Sequence, residues 1–104
     1  MWIMMNNSFV SAVQDRDNPD QLCVRARIKG DLEALFGADT KVIETHDSDY
    51  RFRTFLPKSV VSEIVAKNIE NIEYDNFKNS VTDHDRHEAY LDVWTAMYRY
   101  QHRQ

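Results

Sequence analysis

The sequence predicts an α+β fold: a four-stranded antiparallel sheet in ββαββα order, with further C-terminal helices packed on it. Three observations carry this. Runs with strand period fill the first half of the chain and are separated by turn chemistry. A single short helical pattern interrupts them between two hairpins. After Pro57 the period of the apolar residues changes to that of a helix and stays there.

Taken in order, Phe9 to Gln14 is rich in β-formers and is stopped by Asp15-Arg16-Asp17-Asn18-Pro19-Asp20, a dense set of turn residues. Leu22 to Ile28 then alternates strictly. Leu22, Val24, Ala26 and Ile28 share one face, and Cys23, Arg25 and Arg27 share the other. Gly30-Asp31 can open a two-turn helix carrying Leu32, Leu35 and Phe36, with Gly37 placed as the residue that ends it. Lys41 to Thr45 forms a third strand, His46-Asp47-Ser48-Asp49 a turn, and Tyr50 to Leu56 a fourth strand with aromatic alternation.

Pro57 ends the sheet and opens a helix whose stripe is Val61, Ile64, Val65, Ile69 and Ile72. Tyr74, Phe77 and Val81 continue as a short second piece that Asp75 can cap. Asp85 with Glu88 resembles a capping box ahead of a long helix bearing Tyr90, Leu91, Val93, Trp94, Ala96, Met97 and Tyr98. Trp2 to Met5 is a candidate extra edge strand, turning at Asn6-Asn7. By analogy, the ββαββα order is a ferredoxin-like unit with its last strand moved to the front. The analogy makes 22–28 and 50–56 the central strands and sets the loops 15–20 and 46–49 at one end of the sheet.

A chain of 104 residues suits a single domain over 1–104, burying roughly two-thirds of its unfolded surface. Two glycines and two prolines argue against a linker-rich chain. The lone cysteine, Cys23, excludes an intramolecular disulfide and sits in an apolar run, as a reduced packed thiol would. The apolar start Met1 to Met5 is far shorter than the ~20 residues of a bilayer span and lacks a basic leader. A cytoplasmic, non-membrane protein is the expectation. The net charge of −4, with both signs spread evenly, means that the overall field does not attract nucleic acid and that an anion needs a local patch.

One such patch is Arg25, Arg27, Arg51 and Arg53. Each pair lies on one face of its strand by period 2, and adjacent central strands bring all four together. Their guanidiniums can hold phosphate or carboxylate oxygens bidentately, and Phe55 on the same face can stack on a base. The plain structural alternative is that they pair with Asp15, Glu44 or a carboxylate of the C-terminal helix. Tyr50-Arg51-Phe52-Arg53 lacks the glycines of an RNA-recognition motif, so nucleic acid is only weakly supported.

Other patterns carry less chemistry. Asp15, Asp17 and Asp20 with His46, Asp47 and Asp49 can hold Mg²⁺, Mn²⁺ or Ca²⁺ if the two loops converge, although Asp and Asn are also what tight turns prefer. His84 and His87, three apart at a helix start, lack the further ligands of a zinc site and read as a polar helix entrance. Gly30 and Gly37 alone cannot build a phosphate-cradling loop or a nucleophile elbow. On the last helix, Tyr90, Trp94, Met97, Tyr98 and Tyr100 spread round more than half the circumference. That is the composition of an interface core, or of a helix packed on two sides.

The strings Val13-Gln14-Asp15-Arg16-Asp17, Val24-Arg25-Ala26-Arg27, Asp49-Tyr50-Arg51-Phe52-Arg53, Tyr74-Asp75-Asn76-Phe77-Lys78-Asn79 and Val93-Trp94-Thr95-Ala96-Met97-Tyr98 together resemble a group of short, uncharacterised bacterial proteins. The resemblance covers most of the chain and implies a self-standing domain. It brings no activity, cofactor or catalytic residue with it. The residues therefore point to a non-enzymatic binding or regulatory domain without cofactor or metal. It would engage a protein or anionic partner through the arginine face or through Trp94 and Tyr98. The alternatives are a metal-dependent phosphodiesterase using Asp15, Asp17, Asp47 and Asp49, and a structural homodimer.

Overall fold

The computed structural model describes residues 1–103. The chain divides into two compact units, Met1–Ile72 and a second beginning at Glu73. The first contains one five-stranded antiparallel sheet of β1 (Trp2–Met5), β2 (Ser8–Gln14), β3 (Gln21–Ala26), β4 (Ile43–Glu44) and β5 (Phe52–Pro57), in the order β1-β2-β3-β5-β4. The protein is thus α+β with an antiparallel sheet, but five strands replace the four expected. The extra one is Trp2–Met5, whose alternation continues across a tight turn at Asn6-Asn7 into β2.

Registers follow from the turns. Ala12 pairs with Val24 across β2 and β3, and Val24 with Thr54 across β3 and β5. Period 2 then gathers Val10, Val24, Ala26 and Phe52 on one face. With Leu32, Leu35 and Val61 they form the buried core, flanked by Ile3, Met5, Ala12, Leu22, Leu56, Ile64 and Val65.

The expectation that the loops 15–20 and 46–49 lie at one end of the sheet is overturned. Each loop precedes the second strand of its hairpin, and those second strands, β3 and β5, run antiparallel with Gln21 opposite Pro57 and Ala26 opposite Phe52. The loops are therefore at opposite ends. The 15–20 loop lies beside the start of the helix after β5, where the Lys58 amide donates to the Asp20 carbonyl at 3.0 Å.

Boundaries also move. β3 stops at Ala26, so Ile28, placed by alternation on the core face, is 57% exposed. β4 is two residues long rather than five. β5 begins at Phe52 because Thr45 to Arg51 closes as a turn, the Thr45 amide donating to the Arg51 carbonyl at 2.8 Å. Helix α1 (Asp31–Phe36) is bracketed by Gly30 at φ 95° and Gly37 at φ 106°, both in the left-handed half of backbone space that glycine adopts without strain. Asp31, buried at its start, accepts from the Phe9 amide at 3.0 Å and ties the helix to β2.

Helix α2 (Lys58–Glu70) follows Pro57 directly. Val61 is buried and Ile64 and Val65 pack on the core, but Ile69 is 62% exposed and Ile72 also lies open, so the apolar stripe outruns the surface it covers. In the second unit, α3 (Phe77–Ser80) is capped by Asn76, not Asp75, and α4 (His84–Gln101) by Asp83, not Asp85. The Asn76 side chain accepts from the Asn79 amide at 3.1 Å and that of Asp83 from the Arg86 amide at 2.9 Å. In both cases the cap stands immediately before the first helical residue, the one place from which its oxygen reaches the free amides of the first turn. Phe77 stacks on the buried Tyr90, with ring centroids 5.7 Å apart.

Candidate functional site: an arginine pair on the second sheet face

The face of the sheet opposite the core carries Ser11 on β2, Cys23 and Arg25 on β3, and Arg53 and Phe55 on β5. Arg25 and Arg53 are direct partners in the β3–β5 register. The bond between the Lys58 amide and the Asp20 carbonyl fixes the phase of that ladder. Counting inward by twos, Leu22/Leu56 and Val24/Thr54 exchange backbone bonds, and Arg25/Arg53 falls on a non-hydrogen-bonded pair. That is the closer of the two pair types, with α-carbons ~4.5 Å apart. Two like charges directly opposite each other repel.

Neutral oxygens, not carboxylates, hold this pair. Arg25 Nη2 donates to Ser11 Oγ at 2.9 Å, and Arg53 Nη2 donates to Ser48 Oγ at 2.9 Å and to the Tyr50 carbonyl at 3.4 Å. Ser48 Oγ also bonds Thr45 Oγ1 at 2.9 Å and the Tyr50 carbonyl, so the β4–β5 turn is wound round the Arg53 guanidinium. Both Nε atoms are buried without a hydrogen-bond partner. Among the described residues no carboxylate comes within ion-pair distance of either arginine.

Arg27 lies just past the end of β3 and is the one arginine of the four with an acidic partner among the described residues. Its Nη1 donates to the Asp49 carbonyl at 3.0 Å and to Asp49 Oδ1 at 3.3 Å, an exposed contact that holds the guanidinium even more firmly protonated. Tyr50, 5% exposed, takes the Arg25 guanidinium 4.6 Å and that of Arg27 4.1 Å from its ring centroid. Arg51 stands in the turn before β5, exposed and without a side-chain hydrogen bond or ion pair among the described residues. The structure thus brings Arg25, Arg27 and Arg53 round Tyr50 and leaves Arg51 outside the cluster.

Tyr50, Ser11 and Ser48 escape sequence reasoning. Tyr50 reads there as a strand residue, and the serines carry no pattern; only the β2–β3 register, with Ser11 opposite Arg25, reveals the first of them. Cys23, buried between Val13 and Phe55 in register, has its thiol pushed up by burial, with the positive charges of Arg53 and Arg25 pulling the other way. Phe55 on the same face is half-open to solvent.

On α4, Trp94 and Tyr98 stack at 5.2 Å and Tyr98 meets His102 at 4.3 Å, an i, i+4 ladder along one side of the helix. Lys78 Nζ lies 4.6 Å over the Trp94 ring. Trp94 and Tyr98 are each 49% exposed, and with Met97, Tyr100 and Gln101 they line a shallow depression. His84 is exposed and His87 half-buried, both in the first turn of α4.

In the first acidic loop the side chains of Asp15 and Asn18 hold their own turn. Asp15 Oδ1 accepts from the Asp17 amide and Asn18 Oδ1 from the Asp20 amide, each at 3.0 Å. Because the loops lie at opposite ends of the sheet, Asp15 and Asp17 do not meet Asp47 and Asp49. Among the described residues no group of three or more His, Cys, Asp or Glu is placed to hold a metal ion. No family model, curated protein or solved structure matches the chain. No helix of the described residues is long and apolar enough to cross a membrane.

Proposed function

We propose that this chain is a non-enzymatic binding or regulatory domain that takes an anionic segment of a partner on the sheet face bearing Arg25, Arg27 and Arg53. The observation that carries the reading is the direct opposition of Arg25 and Arg53 with no carboxylate between them. Two arginines directly opposite in the register set like charges on one sheet face, a cost that an anion relieves, and each retains donors beyond those its serine and carbonyl partners use. A carboxylate or phosphate group matches the planar fork of either one. The half-exposed ring of Phe55 adds flat surface beside them, and the buried Tyr50 ring supports the Arg25 and Arg27 guanidiniums from beneath.

The partner is identified by titrating labelled acidic peptide and labelled single-stranded RNA and DNA against the protein by fluorescence anisotropy at low and moderate salt. Binding of any of the three that weakens with salt and falls at least tenfold in Arg25→Gln/Arg53→Gln supports the face as the site. Equal binding by the variant, or no binding at low salt, ends the proposal. A second reading, a protein docking on α4, rests on the half-exposed Trp94–Tyr98 ladder, and Trp94→Ala with Tyr98→Arg addresses it in a pull-down.

A further inference from the structure

We propose that the chain self-associates through the free edge of β1, two copies pairing antiparallel about a two-fold axis with Ile3 opposite Ile3 and Trp2 opposite Met4. β1 is the end strand of the sheet, so one side of its backbone has no partner strand among the described residues. Which groups face outward follows from the phase of its ladder with β2. The Met1 amino group donates to the Ala12 carbonyl and the Ala12 amide to the Met1 carbonyl, both at 2.8 Å, so Met1/Ala12 is a hydrogen-bonded pair. Alternation makes Ile3/Val10 the next such pair and turns the N–H and C=O groups of Trp2 and Met4 outward.

Those four outward groups are complementary to themselves. For two copies to share one continuous sheet, opposed residues must point to the same face, which requires paired positions to differ by an even number. Trp2 opposite Met4 satisfies this and joins the outward donors and acceptors of both strands in four hydrogen bonds. Registers that centre on Trp2 or on Met4 use only half of them. Trp2, 71% exposed, then lies across from the Met4 thioether, a favourable aromatic–sulfur contact.

Nothing on this edge opposes pairing. Natural edges are guarded by charge, proline or a bulge. Met1 to Asn7 contains no charged side chain and no proline, and the β1–β2 register is unbroken. No like charge is set against itself by the two-fold, which leaves a second copy as the occupant the edge chemistry fits. A four-residue edge buries less than the roughly 1,200 Å² of a standard interface, so the association belongs to the weak class, with a dissociation constant on the order of 100 μM.

The test is sedimentation of the full chain across a range up to about ten times that concentration, beside Met4→Pro. Proline there removes an outward N–H and leaves the bonds to β2 intact. A concentration-dependent dimer that the variant loses, with unchanged circular dichroism, supports the proposal. A monomer throughout, or a dimer that Met4→Pro leaves unchanged, overturns it. Register is read separately by oxidising Ile3→Cys and Met4→Cys. The paired Cβ atoms of position 3 fall within disulfide reach, those of position 4 do not, so preferential cross-linking through Cys at position 4 also overturns it. Trp2 and Met4 point to the same sheet face as Arg25, with β2 between them, but the edge pairs through backbone groups and the arginine site through guanidiniums, so either proposal stands or falls without the other.

Discussion

At the scale of single residues, Cys23 and the two arginines beside it form one electrostatic system. Burial disfavours the thiolate more than Arg53 and Arg25 favour it, so the folded thiol ionises above its ordinary value. A raised acid contributes stability that is fully present below the unfolded value and is lost as pH rises through the folded one. Urea denaturation from pH 7 upward is therefore expected to show the native chain losing stability relative to Cys23→Ala once pH passes about 8.5, the ordinary thiol value. Arg25→Gln/Arg53→Gln removes the opposing charges and moves the thiolate absorbance transition to still higher pH. A transition that stays in place in that variant contradicts the arrangement of the three side chains. None of this is visible in the string Cys23-Val24-Arg25, since Arg53 enters only through the β3–β5 register.

At the scale of elements, what the sequence makes legible is period, and what it hides is where period ends. The alternation of β3 and the stripe of α2 are both real. They overrun at Ile28 and at Ile69, because a pattern of apolar residues does not reveal how far the opposing surface extends. Caps are misplaced for a related reason. Acidic residues crowd the start of α4, and Asp83 and Asp85 are equally good capping types, so only the backbone at Asp83, extended at φ −70° and ψ 124°, distinguishes them. Asp83→Ala is expected to cost the helix about 1 kcal/mol, read as faster amide exchange at Arg86 and its neighbours. Asp85→Ala, which removes only a charge from the first turn, is expected to cost a few tenths of that. The reverse ranking would place the cap at Asp85 after all.

At the scale of the whole molecule, sequence reading finds the class and the pairing of β3 with β5, but errs on which end of the sheet each loop occupies. The four arginines are correctly grouped in part, because side-chain period within each strand survives any error in topology. The two acidic loops are not, because their meeting depends on strand direction. β3 and β5 are antiparallel neighbours, each entered from its own hairpin, so an acidic loop stands at either end and the length of both strands separates them. Asp15 is occupied in holding its own turn through the Asp17 amide, and Asp49 of the other loop pairs with Arg27. Divalent ions therefore have no joint site to stabilise the folded state. A site filled to 100 times its dissociation constant adds ~2.7 kcal/mol and raises the melting temperature by roughly ten degrees or more. Millimolar Mg²⁺ or Mn²⁺, compared with NaCl at matched ionic strength, is expected to leave the melting temperature unchanged within about a degree. A rise of several degrees, abolished by Asp15→Asn together with Asp47→Asn, would require the two loops to approach each other in solution and would overturn the strand directions on which the arginine pair also depends.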